Sequence, residues 1–230
     1  MGRPNHRAAG FEQPLPPALP AAPVLVEGSE AAICLYTLAA DEESAARLHL
    51  KNADLTGEAL AGLSFAHCVL EGCRFQNCDL TRASFTDCVL KGCDLSGAKL
   101  WESYFSRCRV QNCRALGANF AEGRLFELTI AGTQLRYACF DQSKWERVRV
   151  ENSCLAEVML TNSRLKTLCF AQADLSGAML TGTPLKGLDL RGCTLTNVSC
   201  SETCRELQGA VVDVLQAAQL ARLLGVVIRE

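Results

Sequence analysis

The amino-acid sequence predicts an all-β solenoid that is closed by a short helix at its C-terminal end. The first observation behind this prediction is a strict period, because every fifth residue from Leu50 to Cys200 is apolar. A period of five fits neither the helical turn of about 3.6 residues nor the two-residue alternation of a strand, so the backbone must turn a corner every five residues. Such a repeat stacks coils around a shared core and works through its outer surface rather than through a pocket.

The second observation concerns the residue two places before each apolar position, which is small in most pentads. Larger residues occupy this slot at Leu128, Val148, Leu168 and Leu188, which follow one another at intervals of four pentads. Four pentads therefore make one coil, and the larger residues stack on one of its four sides. The apolar residue and the residue two places before it are predicted to face inward, and the other three residues of each pentad to face outward.

Four segments divide the chain. Residues 1–29 hold six of the seven prolines and are predicted to form a flexible or polyproline II tail. Residues 30–49 are predicted to cap the open N-terminal edge of the solenoid, with a first strand at residues 33–36. Residues 50–204 form the solenoid itself. Residues 205–230 lose the pentad register and are predicted to form a C-terminal helix and strand.

The C-terminal segment has the pattern of a capped amphipathic helix. Asp213 is a helix N-cap with Gln216 three residues later, and Gly225 stands where a helix ends. A short strand is predicted at residues 226–228. A helix beside an exposed apolar strand closes the solenoid and also offers a symmetric dimer surface, while capping alone is the other interpretation. The candidate dimer interface consists of Leu220, Leu224, Val226, Val227 and Ile228.

Composition restricts the class of protein. A formal charge of −2 over 230 residues excludes a bulk polyelectrolyte, and no apolar run is long enough to span a membrane. Prolines follow Arg3 and Arg7 where a secretory signal would have its apolar core, so no signal is predicted. Of the 14 cysteines, eight occupy the small slot of the pentad. We interpret them as reduced packing residues rather than as disulfide or metal ligands, which predicts a cytoplasmic protein.

No catalytic constellation is visible in the sequence. The three histidines are His6, His49 and His67, and their spacing does not fit a metal site. The chain has neither a glycine-rich phosphate loop nor a nucleophile elbow. The sequence therefore predicts a protein that is not an enzyme and that needs no cofactor or metal.

Outward charges can be assigned to sides, because equivalent positions stack once per coil. One side has a net negative charge, and its candidate partner-binding residues are Asp79, Glu102, Glu122 and Asp141. The adjoining side has a net positive charge, with Arg124, Lys144 and Arg164 in one column. Direct binding to nucleic acid is not predicted, because the basic side is mixed in charge and has few aromatic residues. The two sides indicate either a solvated surface or a rod that fits a charged groove of a partner.

The repeat resembles that of the pentapeptide-repeat family. The motif is plainest in residues 53–57 (Ala-Asp-Leu-Thr-Gly), 93–97 (Cys-Asp-Leu-Ser-Gly) and 173–177 (Ala-Asp-Leu-Ser-Gly). This resemblance implies a right-handed quadrilateral β-helix with one pentad on each side. Three further segments are similar to the Qnr-type quinolone-resistance members of the family: residues 112–120, 185–192 and 207–226.

The Qnr-type resemblance implies a cytoplasmic homodimer that binds type II topoisomerases, DNA gyrase above all, as a rod-shaped DNA mimic and that protects gyrase from quinolones. The pentad register is unbroken between residues 50 and 200, so the chain is similar to loop-free members. Lysines and arginines are about as numerous as acidic residues in the solenoid, and only one side is acidic. The alternative is therefore a scaffold that binds a different protein through the same sides.

Overall fold

A computed structural model describes residues 11–229. It confirms the predicted fold class: the chain is a parallel β-solenoid of about seven turns with a short C-terminal helix. Two adjacent sides of the solenoid are built from ladders of strands, and the other two from single parallel bridges such as Asp54–Arg74 and Asp79–Lys99. The strands are β1 (Val24–Glu27), β2 (Ala45–Ala46), β3 (Leu48–Lys51), β4 (Ser64–Ala66), β5 (Val69–Glu71), β6 (Ser84–Thr86), β7 (Val89–Lys91), β8 (Tyr104–Gln111), β9 (Arg124–Ala131), β10 (Lys144–Glu151) and β11 (Arg164–Ala171).

Every strand pair in the sheet is parallel, and from β2 onwards partners are twenty residues apart. In β10, for example, Val148 pairs with Leu128 on one side and Leu168 on the other. This confirms that four pentads make one coil and that the larger residues of the small slot stack on one side. From β8 onward the two strand-bearing sides merge into single eight-residue strands.

The core is the interior of the solenoid. The apolar positions are buried, and aromatic rings stack along one column, with 4.8 Å between the ring centres of Phe65 and Phe85 and 4.6 Å between those of Phe85 and Phe105. The eight cysteines of the small slot are buried as predicted. Six of them hydrogen-bond a backbone carbonyl of the preceding coil, as Cys88 Sγ does to Phe65 O at 3.4 Å. Burial raises the pKa of the Cys78 thiol to about 12, which keeps it protonated.

The corners of the coils adopt a left-handed backbone. The residue two places after each apolar position has a positive φ, whether it is glycine or a side-chain residue such as Asn77 (φ 55°) or Glu102 (φ 56°). Gly97 is one corner at which glycine is required, because a Cβ there would collide with the amide oxygen of Asn77 on the coil before. The frequent glycine and asparagine at this position therefore follow from the fold.

The N-terminal segment differs from the prediction. Residues 33–36, predicted to be a strand, lie within the helix α1 (Gly28–Ala40), which covers the first coil with Ala31, Ala32 and Leu35. These small and apolar residues recur at helical spacing, and burial of that face decides the structure. The predicted capping role of residues 30–49 is therefore filled by a helix. Strand β1 precedes it and extends the sheet by pairing with β3.

The tail predicted for residues 1–29, either flexible or polyproline II, is shorter than predicted, because residues 24–27 form β1 and residues 28–29 belong to α1. Residues 11–23 have no regular hydrogen-bonded structure, yet every third residue is half-buried against the solenoid. The amide of Leu15 donates to Glu127 Oε2 (2.8 Å), and the amide of Ala18 donates to Asp87 Oδ1 (2.9 Å). We call residues 11–23 the N-terminal strap. Residues 1–10 lie outside the described part of the chain.

The C-terminal end is closed as predicted by a helix, α2 (Val214–Ala221), which is preceded by a 3-10 turn (Arg205–Leu207) and followed by another (Arg222–Leu224). Asp213 and Gln216 form the predicted capping box. The Gln216 side chain also donates to the carbonyls of Leu190 and Cys193, both at 2.8 Å, and so satisfies the open end of the last coil. The strand predicted at residues 226–228 is absent, because this extended segment pairs with no other strand.

Candidate partner-binding surfaces

The outward positions form straight columns of side chains that repeat once per coil, at the strand spacing of about 4.8 Å. In four columns, charged residues on successive coils alternate in sign, and in three of the four some neighbours form ion pairs. Examples are Lys91 Nζ to Glu71 Oε1 at 2.8 Å and Arg74 to Asp54. The four columns are Lys51–Glu71–Lys91, Asp54–Arg74–Asp94–Arg114, Asp79–Lys99 and Asp87–Arg107–Glu127–Arg147.

The predicted acidic residues lie on one side of the solenoid but in three different columns. Glu102 is neutralised by Arg82 (Nε to Oε2 2.8 Å), and the positive charge of Lys99, on the next coil of the same column, acts on Asp79 without an ion pair. Hydrogen bonds from Thr81 lower the pKa of Asp79. This half of the acidic side is therefore compensated by cations of the same chain.

Glu122 and Asp141 retain uncompensated negative charge. Glu122 is exposed and accepts a hydrogen bond only from the indole of Trp101 (3.3 Å). The Asp141 carboxylate accepts from the hydroxyl of Thr161 and the amide of Asn162 (3.1 Å). The Thr161 hydroxyl above all lowers the pKa of Asp141, so this carboxylate is ionised and fixed in orientation at neutral pH.

The adjoining strand-bearing side has two different surfaces. The column Arg124–Lys144–Arg164 is exposed and has no ion pair in residues 11–229. Another column of this side, Asp87–Arg107–Glu127–Arg147, lies two outward columns away and is covered by the N-terminal strap. Asp87 and Glu127 are 1% and 3% exposed, although their pentad position was predicted to face solvent. The guanidinium of Arg107 holds the pKa of the Asp87 carboxyl below its usual value.

Sequence reasoning placed the dimer surface at the C-terminal end, and the structure divides those residues into two groups. Leu220 is buried in the core of its own chain. Leu224, Val226, Val227 and Ile228 are exposed, Val227 by 79%. Val214 and Leu215 are also exposed, by 84% and 78%, and join them at the same end. The sequence prediction missed Val214 and Leu215. They could have been found as two apolar residues in the first turn of α2, directly after the N-cap Asp213, where they do not face the solenoid core.

The histidines do not form a metal cluster in the described part of the chain. In residues 11–229, no group of three histidine, cysteine or acidic side chains could hold a metal ion. His49 Nε2 is 3.2 Å from Glu71 Oε2, and His67 Nδ1 donates to the carbonyl oxygen of Ala18 (2.7 Å). The two histidines lie on different columns. His6 is outside this range. Among the described helices, none has the length and hydropathy needed to cross a membrane.

The fold and its surfaces define a solenoid repeat protein whose outward columns present charge in fixed register. Comparison with protein-family profiles identifies the family of repeat proteins to which the chain belongs. The family profile "Pentapeptide repeat region" matches residues 83–160, and "Pentapeptide repeats (8 copies)" matches residues 160–197. Together the two profiles cover half of the chain, which therefore belongs to the pentapeptide-repeat family.

Solved structures of the same class are similar to this chain. A trypsin-treated form of QnrB1, a plasmid-mediated fluoroquinolone resistance protein, has 25% identity over 90% of this chain and 98% of its own, with a TM-score of 0.41. HetL, a pentapeptide-repeat protein involved in heterocyst differentiation regulation in the cyanobacterium Nostoc sp. strain PCC 7120, has 15% identity over 82% and 84% of the two chains, with a TM-score of 0.33. Comparison with curated protein sequences gives no significant match.

Proposed function

We propose that the chain is a non-enzymatic, cytoplasmic homodimer that binds a type II topoisomerase, DNA gyrase above all, as a rod-shaped DNA mimic, and that this contact protects gyrase from quinolones. The sequence support is the Qnr-type resemblance of residues 112–120, 185–192 and 207–226. The observation that carries the proposal is the pair Glu122 and Asp141 on the acidic side. Neither carboxylate has an ion pair within residues 11–229, and the stacked coils hold the two on the same side of the solenoid, one coil apart.

Gyrase binding is tested by DNA supercoiling with purified gyrase. Glu122→Lys should weaken inhibition by the protein, because it reverses an uncompensated charge of the acidic side. The matched control is Glu43→Lys, which makes the same change in net charge at an exposed turn after α1. Equal inhibition by wild type and by Glu122→Lys contradicts DNA mimicry.

Dimerisation is tested separately, by light scattering at micromolar concentration. Val227→Asp should give a folded monomer, because a charge would lose its hydration at the interface between two C-terminal ends. Val24→Asp is the matched control, since Val24 is 63% exposed at the opposite end of the rod. A monomeric wild type rules out the dimer.

The second candidate function is a scaffold for a different protein partner. The ion pair between Glu102 and Arg82 and the charge of Lys99 next to Asp79 favour it, because they interrupt the negative charge that a DNA mimic presents. A scaffold predicts that Glu122→Lys leaves gyrase unaffected, so the supercoiling experiment distinguishes the two candidates.

A further inference from the structure

One column of outward charges breaks the alternation seen in the four columns described above. Arg124, Lys144 and Arg164 lie on three successive coils, and Lys144 is in direct register with both arginines. Like charges placed opposite each other on neighbouring strands destabilise a sheet. Within residues 11–229, no other column stacks three like charges on consecutive coils.

The surroundings of this column do not compensate it. All three side chains are exposed, and none is within ion-pair distance of a carboxylate of the described chain. The arginines two columns away behave differently, because Arg107 forms two hydrogen bonds with Asp87 (2.8 and 2.6 Å) and Arg147 pairs with Glu127. The exposed column therefore carries positive charge that no ion pair within residues 11–229 neutralises and that an external anion can neutralise.

The column forms one wall of an open groove of about 740 Å³, and the opposite wall changes character along the rod. The opposite wall consists of the Arg82–Glu102 ion pair and of Glu122 at one end and of Gln142 and Asn162 at the other. The amides of Gln142 and Asn162 are on the same coils as Lys144 and Arg164; each donates one hydrogen bond to Asp141 (3.0 and 3.1 Å) and keeps a second N–H for a ligand. The groove is consequently cationic at one end, and Glu122 supplies the negative charge at the other.

We propose that this groove binds an extended acidic segment of a partner protein, with its carboxylates on Arg124, Lys144 and Arg164 and a basic residue on Glu122. Alternate side chains of an extended peptide are about 6.6 Å apart, and the long basic side chains can reach carboxylates at that spacing. A nucleic acid fits less well, because its uniformly negative backbone would be repelled by Glu122. The change of charge along the groove fixes the direction of the bound segment.

The test uses a fluorescein-labelled peptide with two lysines followed by three glutamates at alternate positions, measured by fluorescence anisotropy at low salt. The variant is Lys144→Glu, which restores the alternation of sign. Its affinity for the peptide should fall about tenfold or more, because one charge-assisted contact is replaced by a repulsion. Its Tm should rise by about 2 °C, because two like-charge pairs become opposite-charge pairs. A higher Tm combined with weaker peptide binding in Lys144→Glu would show that the three like charges serve binding rather than stability.

The matched control is Arg109→Glu, which makes the same change in net charge at an exposed position on the neighbouring side. It should bind the peptide like wild type. Equal binding by Lys144→Glu and wild type overturns the proposal, and so does an equal loss in both variants, which would show a nonspecific charge effect. Oligothymidylate is the second probe, and tighter binding of it through Lys144 would replace the peptide site by a nucleic-acid site.

Discussion

The ion pair between Asp87 and Arg107 is the contact that best tests how the N-terminal strap is held. The Asp87 carboxylate accepts two hydrogen bonds from Arg107 and one from the amide of Ala18 in the strap. Its side chain is 2% exposed. The perturbation is Asp87→Asn, which keeps the shape and removes the charge. Asp54→Asn is the matched control, because Asp54 pairs with Arg74 in the same cross-coil geometry but is half-exposed.

The expected loss for Asp87→Asn is about 2–3 kcal/mol of unfolding free energy. Breaking a buried ion pair costs about 3–5 kcal/mol when the remaining charge has no partner. Two features lower this value: the Arg107 side chain is 37% exposed, and Glu127 is the next residue on its column. Asp54→Asn should leave the unfolding free energy nearly unchanged, because water screens an exposed pair.

Urea unfolding measures the stability of the two variants, and hydrogen exchange measures the strap directly. In the wild type the amides of Leu15 and Ala18 should be protected, because both donate to buried carboxylates. In Asp87→Asn the Ala18 amide should exchange faster, and in Asp54→Asn it should not. Equal unfolding midpoints for the two variants, or unchanged exchange at Ala18, would refute the assignment of Asp87 as an anchor.

Three more predictions concern pH, buried hydroxyls and corners. The pKa of Asp87 is lowered in the folded state, so the ionised carboxylate stabilises the fold above the ordinary pKa of about 3.9, and this stabilisation is lost as the pH falls below that value. The urea midpoint of the wild type should therefore fall more steeply below about pH 4 than the midpoint of Asp87→Asn. Ser163→Ala should cost about 1–3 kcal/mol of unfolding free energy, because the Ser163 hydroxyl donates to Phe140 O (2.7 Å) and accepts from the Ser143 amide (3.2 Å). Ser103→Ala should be neutral or stabilising, because the buried Ser103 hydroxyl has no hydrogen-bond partner within residues 11–229. Equal losses of stability in the two variants on thermal unfolding would contradict this. Gly97→Ala should lower Tm more than Gly92→Ala, because both alanines would have a strained left-handed backbone but only the Cβ at position 97 would collide with the Asn77 side chain. In an Asn77→Gly background the two alanine variants should have the same Tm.

The solenoid could be predicted from the sequence because its core is local and repeated. The inward-facing residues can be recognised within each pentad, and the twenty-residue spacing of Leu128, Val148 and Leu168 gives the number of residues in one coil. The capping box of α2 is equally local, because Asp213 and Gln216 are three residues apart. The N-terminal cap was predicted in role but not in structure. Residues 33–36 alone suit a strand, and the helix is decided by contacts of Ala31 and Leu35 with the first coil.

The surfaces could be predicted only in part, because pairing between columns depends on side-chain geometry. The sign of each side followed from counting, but the neutralisation of Glu102 by Arg82 and the unpaired state of Glu122 did not. The burial of Asp87 and Glu127 was missed for another reason. Their pentad position faces outward, and the segment that covers them is far away in sequence.

The sequence nevertheless contains a signal for the strap. Pro14, Pro17, Pro20 and Pro23 are spaced by three, and these are the residues that face the solenoid. A polyproline II helix repeats every three residues and advances about 9.3 Å in that distance. Two coils of the solenoid advance about 9.6 Å. The donors Leu15 and Ala18 are one such repeat apart, and their acceptors Glu127 and Asp87 are two coils apart. A proline every third residue therefore matches a carboxylate on every second coil, with the arginines between them neutralising the column. This shared period is the physical reason that a proline-rich segment lies along this side of the rod.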